Sequence, residues 1–104
     1  MSDETTYHFE WDPTKAHTNV AKHGVTFQRA TLVFRDPLAL SVYDADHSDT
    51  EDRWATLGLT ADAEYLVVIH TWTELGGNEV VVRIISAQPA TKAEVKQYES
   101  VPRH

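Results

Sequence analysis

The segment from Glu79 to Ala87, Glu-Val-Val-Val-Arg-Ile-Ile-Ser-Ala, constrains the fold more than any other stretch. Read as a strand, it sends Val80, Val82 and Ile84 to one face and Val81, Arg83 and Ile85 to the other. Both faces are largely apolar, whereas a half-exposed antiparallel sheet shows one polar face. The second face therefore needs a cover: the C-terminal helix, a second copy of the chain, or a partner. An arginine on that face is costly unless it is paired or used. Glu79 on the same strand is one candidate counter-charge, and a functional role is the alternative.

The remaining elements follow from local signals. His8 to Trp11 alternates as a short strand. Asp12-Pro13 opens a helix that runs to about His23, with Gly24 closing it. Lys15, Thr18, Asn19 and Lys22 recur at helical spacing as a polar face, with Ala16 and Val20 opposite. Thr26 caps a second helix to about Phe34, with Phe27, Ala30 and Phe34 as its buried stripe, and Asp36-Pro37 stops it. Strands are expected at residues 40–43, 54–59, 65–72 and 79–87, with Gly76-Gly77-Asn78 as the last turn. Thr91-Lys92-Ala93-Glu94 is a capping box for a final helix to about Glu99, and Pro102 onward should fray. The expectation is an α+β domain: two N-terminal helices, a four-stranded antiparallel meander and a C-terminal helix.

Composition narrows the class. A chain of 104 residues with 41% hydrophobic content suits one globular domain. Its longest apolar run, Tyr65 to Ile69, is far short of the ~18 residues of a membrane span. The polar, acidic Met1-Ser2-Asp3-Glu4-Thr5-Thr6 predicts no signal peptide. There is no cysteine, so disulfides and thiolate chemistry are excluded, which suits a reducing cytoplasm. The net charge of −7 argues against unaided nucleic-acid binding, yet Asp44, Asp46, Asp49, Glu51 and Asp52 supply five of those charges within one loop. Such a loop would raise the pKa of a carboxylate inside it by like-charge repulsion, or meet a basic partner.

Several chemistries lack their residues. The histidines His8, His17, His23, His47, His70 and His104 form no close pair of metal-ligand spacing. The acidic loop has Asp49 and Ala55 where a calcium loop needs Gly and Glu, so no metal site is expected. No glycine-rich phosphate loop or Gly-x-Ser-x-Gly turn is present. What remains is a set of polar residues at element ends: Lys22, His23, His47, Glu51, Arg53, His70 and Arg83. These types suit metal-free cleavage of RNA: a base takes the 2′-hydroxyl proton, cations stabilise the phosphorane, and an acid protonates the leaving oxygen. The plainer alternative is that Lys22 and His23 complement a helix dipole while Glu51 and Arg53 pair on the surface.

Ordered blocks along the chain carry a resemblance. They are Phe9-Glu10-Trp11-Asp12-Pro13-x-Lys15, Asn19-x-x-Lys22-His23-Gly24-Val25, Phe34-x-Asp36-Pro37-Leu38, Asp46-His47-Ser48-x-x-Glu51-x-Arg53-Trp54 and Arg83-Ile84-Ile85-Ser86-Ala87, then Ala90-Thr91 and Tyr98-Glu99. The chain resembles BrnT-type toxins of bacterial type II toxin–antitoxin systems, a branch of the RelE/ParE-like fold, as a single domain over residues 1–104 with its core at about 8–99. The resemblance implies an endoribonuclease that needs no cofactor and halts translation. It also implies neutralisation by a BrnA-like, DNA-binding antitoxin, typically as two toxins with two antitoxins. Lys22, His23, His47, Glu51, Arg53 and Arg83 occupy the matching polar positions; of these we assign His47, Glu51, Arg53 and Arg83 to catalysis and Lys22 and His23 to RNA binding. Glu51 or His47 is assigned as base or acid, and Lys22, Arg53 and Arg83 to the phosphate. Two departures remove positive charge: Gln88 stands where the family often has Arg, and the last helix offers only Lys92 and Lys96. They motivate the alternative of a catalytically silent module that keeps its antitoxin surface.

Overall fold

The computed structural model describes residues 4–102. In chain order it contains β1 (Thr6–Glu10), α1 (Pro13–His23), α2 (Phe27–Ala30), β2 (Leu40–Tyr43), β3 (Trp54–Leu59), β4 (Tyr65–His70), β5 (Thr73–Gly76), β6 (Glu79–Pro89) and α3 (Lys92–Ser100). The fold is α+β around one mixed sheet of six strands, ordered β1-β6-β4-β3-β2, with β5 also on β6. Residues 103–104, expected to fray, and residues 1–3 of the polar N-terminus lie outside the described part. No helix among the described residues is long and apolar enough to cross a membrane.

The antiparallel meander β2-β3-β4-β6 is present, but a four-stranded sheet is too small a description. β1 adds to β6 in parallel, placing Tyr7 beside Val80 and Phe9 beside Val82. The expected long strand over 65–72 is broken instead. β4 ends at His70 with a register shift, and β5 resumes against the start of β6. At the gap, the Thr71 N–H donates to the Arg83 carbonyl at 3.0 Å, and the Arg83 N–H donates to Thr71 Oγ1 at 3.1 Å. A side chain here replaces part of the ladder.

The second helix is also shorter than expected. α2 is one turn, followed by a 3₁₀ segment at Thr31–Arg35. The residues it buries are Phe27, Ala30 and Val33, a repeat of three that matches 3₁₀ winding rather than 3.6-residue winding. Phe34 is only partly buried and packs against Tyr7, Phe9 and His70.

The faces assigned to α1 are corrected at two positions, Asn19 and Val20. Asn19 is 4% exposed while Val20 is 44% exposed. The cause is the edge of β6 beyond the reach of β1. There the Asn19 amide donates to the Ala87 carbonyl at 2.8 Å and to the Val25 carbonyl at 2.9 Å, and accepts from the Ala87 N–H at 3.1 Å. A side-chain amide thus stands in for a missing strand, as buried backbone groups require.

The cover of the sheet is shared. α1 and α2 lie on the face of Val80, Val82, Ile84, Leu66 and Val68. α3 lies on the other face, where Tyr98 joins Leu57 and Val67. Its place is fixed by the Tyr98 hydroxyl donating to Asp36 Oδ2 at 2.6 Å, the same oxygen that accepts the Leu59 N–H at 2.9 Å. The C-terminal helix therefore answers half of the expected need. The stretch of β6 around Val81, Arg83 and Ile85 stays only half-buried.

Candidate active site

That half-buried stretch is where the charged residues meet. Arg83 lies on the face opposite Val82 and Ile84, and its guanidinium reaches the Glu51 carboxylate rather than Glu79. Glu79 is taken by His8 across the parallel pair, at 2.8 Å. Arg53, just before the start of β3, donates to the same Glu51 oxygen at 3.3 Å. One carboxylate oxygen thus holds two guanidinium groups side by side. Arg53 Nε is buried and makes no hydrogen bond within the described residues.

The loop that delivers Glu51 is tied at its base. The Asp44 N–H donates to the Arg53 carbonyl at 2.8 Å, extending the β2–β3 ladder by one pair. The Ser48 hydroxyl donates to the Asp44 carbonyl at 2.6 Å and accepts the Arg53 N–H at 3.0 Å. The loop therefore closes on itself across a few residues and projects Glu51 over the sheet.

Electrostatics follow from these contacts. The Arg83 guanidinium holds the Glu51 carboxyl below the ordinary carboxylate range, against a smaller opposing effect of burial. This reverses the upward push expected from the acidic loop. Direct contact with arginine outweighs the diffuse repulsion of the neighbouring carboxylates.

His47 is not in this cluster. Its Nδ1 lies 3.0 Å from an Asp44 carboxylate oxygen, and its side chain is 68% exposed. With Nδ1–H donating to the carboxylate, Nε2 is left as the basic nitrogen. Asp44 is the residue that sequence reasoning missed, although its three-residue spacing from His47 in a one-turn 3₁₀ segment was a usable signal. Lys22 and His23, in the last turn of α1, line a shallow cleft with Ile85 and Ser86 of β6. They thus border the strand two residues beyond Arg83. Among the described residues, no group of three or more metal-ligating side chains is gathered.

His70 stands apart from the charged cluster. It is 1% exposed on the α1–α2 face, and burial lowers its pKa. It forms the floor of a cavity of about 200 Å³ lined by Ser41, Trp54 and Trp72. Trp72 and Ser41 were not singled out from the sequence, because an isolated tryptophan and serine carry no local signal.

The family model of the ribonuclease toxin BrnT of type II toxin–antitoxin systems matches residues 11–94. The crystal structure of the Brucella abortus ribonuclease toxin BrnT is similar at a TM-score of 0.57 and 24% identity, covering 85% of this chain and 100% of that one. At that identity the likeness speaks for the fold. No curated protein matches the sequence. The family match spans β3, β4, β6 and all the charged residues of the Glu51 cluster, and the chain belongs to the BrnT family of ribonuclease toxins of type II toxin–antitoxin systems.

Proposed function

We propose that this chain is a metal-independent endoribonuclease that cuts RNA in the cytoplasm, inhibits translation and is neutralised by a BrnA-like antitoxin in an assembly of two toxins and two antitoxins. DNA would be reached only through that antitoxin. The observation that carries the catalytic reading is the single Glu51 oxygen holding Arg53 and Arg83 together on an open sheet face. Paired guanidinium groups match the oxygens of a phosphodiester and stabilise the extra charge of its phosphorane.

Each residue then has a distinct role. Glu51, kept ionised by Arg83, is a weak base and serves as a positioning residue for both arginines. His47, oriented by Asp44, takes the 2′-hydroxyl proton at Nε2. The 2′-oxygen attacks phosphorus, the bond to the 5′-oxygen breaks, and that oxygen leaves with a proton for which His23 is the candidate donor. Lys22 holds a neighbouring phosphate. The products are a 2′,3′-cyclic phosphate and a 5′-hydroxyl.

The test is cleavage of RNA in EDTA with analysis of the ends, beside growth arrest on induced expression. Arg83→Ala and His47→Ala should each abolish arrest and cleavage while circular dichroism shows a folded protein. Cleavage that requires added metal or leaves 5′-phosphates would refute the mechanism. The exposed Gln88 on β6 favours the second reading, a silent module. Tight antitoxin binding by a folded wild type that leaves RNA intact would establish it.

A further inference from the structure

The geometry points to a nucleobase-binding pocket, formed by Ser41, Trp54, His70 and Trp72, that takes bases bearing an exocyclic amino group from single-stranded RNA. The inference rests on the ribonuclease reading and adds a base-reading subsite to it.

The walls come first. Two indoles line a cavity of about 200 Å³, below the ~300 Å³ at which pockets for drug-sized ligands begin. That size and those walls suit one flat ring system. Trp54 is braced edge-on by Tyr43 at 5.3 Å, and Trp72 edge-on by Tyr7 at 6.0 Å. Braced aromatic faces are the usual platform for an unpaired base.

The polar lining has a fixed direction. His70 Nδ1 lies 2.8 Å from the Thr71 carbonyl, an acceptor, so Nδ1 carries the proton. Burial keeps the ring neutral, so Nε2 accepts. Thr56 Oγ1, 2.6 Å away, must donate to it. The single Thr56 proton is then spent, and Ser41 Oγ, 2.7 Å from Thr56 Oγ1, must donate in turn. Ser41 is exposed at the cavity wall with its proton directed inward, and it offers only lone pairs to a ligand. An acceptor at that position favours adenine, cytosine or guanine, whose exocyclic amino groups donate. Uracil's exocyclic oxygens only accept, which leaves its N3–H, set between two carbonyls, as its one donor and disfavours it where the exocyclic group meets Ser41.

Position ties the pocket to the arginines. Trp54 follows Arg53 in the chain, and Thr71, between His70 and Trp72, is hydrogen-bonded to the Arg83 backbone on both sides. Pocket and arginine pair occupy opposite faces of the sheet at the same end of β3. A strand rounding that end would place a base and a phosphate together.

The experiment titrates the full-length protein with short 2′-O-methyl oligonucleotides of adenosine, cytidine or uridine. These lack the attacking hydroxyl, and binding is followed by tryptophan fluorescence. Adenosine and cytidine oligomers should bind about tenfold more tightly than uridine, with Trp72→Ala losing about tenfold and Trp72→Phe much less. Ser41→Ala should erase the preference over uridine without weakening uridine binding. Equal binding of all three oligomers, or an unchanged preference in Ser41→Ala, would overturn the pocket. Free adenosine binding as tightly as its oligomer would overturn RNA as the source. A protein that shows the preference but never cleaves RNA refutes the nuclease mechanism and leaves the pocket standing. One that cleaves without base preference does the reverse.

Discussion

Asn19→Ala should be among the most destabilising single changes in this domain. The wild-type amide satisfies three backbone groups, the Val25 carbonyl and both the carbonyl and N–H of Ala87, from a site only 4% exposed. Each buried group left without a partner costs about 1–3 kcal/mol. Water entering the vacated space would recover part of that, so a loss of about 3–5 kcal/mol is expected, against a total of ~5–15 kcal/mol for a domain of this kind. At ~4–8 °C per kcal/mol the melting temperature should fall by roughly 15–30 °C. Urea denaturation followed by circular dichroism measures the loss. Asn19→Asp sharpens the test, because it keeps the acceptor for the Ala87 N–H but turns a carboxylate on two carbonyls. It should be at least as damaging at pH 7 and recover in part toward pH 4, where the protonated acid donates again. Thr18→Ala, one position away and exposed, should stay within about 0.5 kcal/mol. A loss below about 1 kcal/mol for Asn19→Ala, or an Asn19→Asp protein as stable as wild type at pH 7, would show that β6 does not depend on this amide.

Gly58→Ala tests the packing of β3 beneath the 3₁₀ segment: a Cβ there would lie 2.7 Å from Val33 Cβ, so overpacking should cost about 1–3 kcal/mol in the same denaturation assay. Asp62 is held at about 2 by Arg29, whose guanidinium also bonds Glu64 at 2.5 Å. Because the folded pKa lies below the free value, this pair stabilises the protein above pH ~4 and its contribution is lost as pH falls through about 2. Wild type and Asp62→Asn should therefore differ in stability at pH 6 and converge near pH 2; a difference independent of pH would exclude the pair as its source. In RNA cleavage kinetics, Glu51→Gln should lower KM and kcat together by several-fold, because the arginines are freed for substrate but lose their fixed spacing. A raised KM with unchanged kcat would contradict a positioning role.

Punctuation was the most legible part of this sequence. The Asp12 side chain accepts from the Thr14 N–H at 2.7 Å, Gly24 takes a left-handed φ of 70°, and Thr91 with Glu94 closes both bonds of a capping box. These signals act within a few residues, so the sequence displays them directly. Pairings across the chain were not legible. Alternation marks His8–Trp11 as a strand, two residues from the start of the observed Thr6–Glu10, but does not say that it joins β6 in parallel. The polar character of Asn19 suggests the solvent side, because spacing does not show a strand edge 68 residues away that needs an amide. Arg83 does need the counter-charge that its apolar face implies. Glu79 was the local candidate, whereas Glu51 comes from a loop whose course depends on the Ser48 and Asp44 bonds.

The same distinction resolves the charge of the acidic loop. Five carboxylates in nine residues look like a barrier to RNA, but a net charge ignores where each one is used. Asp44 faces His47, Glu51 faces Arg53 and Arg83, and Asp52 accepts the Tyr43 hydroxyl at 2.9 Å. Three of the five are thus engaged at contact distance, where screening is weak, while charges beyond ~8 Å are largely screened at physiological salt. The contact with Arg83 lowers the Glu51 pKa, the direction expected where contact outweighs the diffuse repulsion of the loop. A phosphate entering the site competes with one carboxylate for two arginines, and it does not confront the whole loop. On the proposed mechanism, RNA binding depends on the arginine pair and the strength of Glu51's hold on it, quantities that neither composition nor net charge contains.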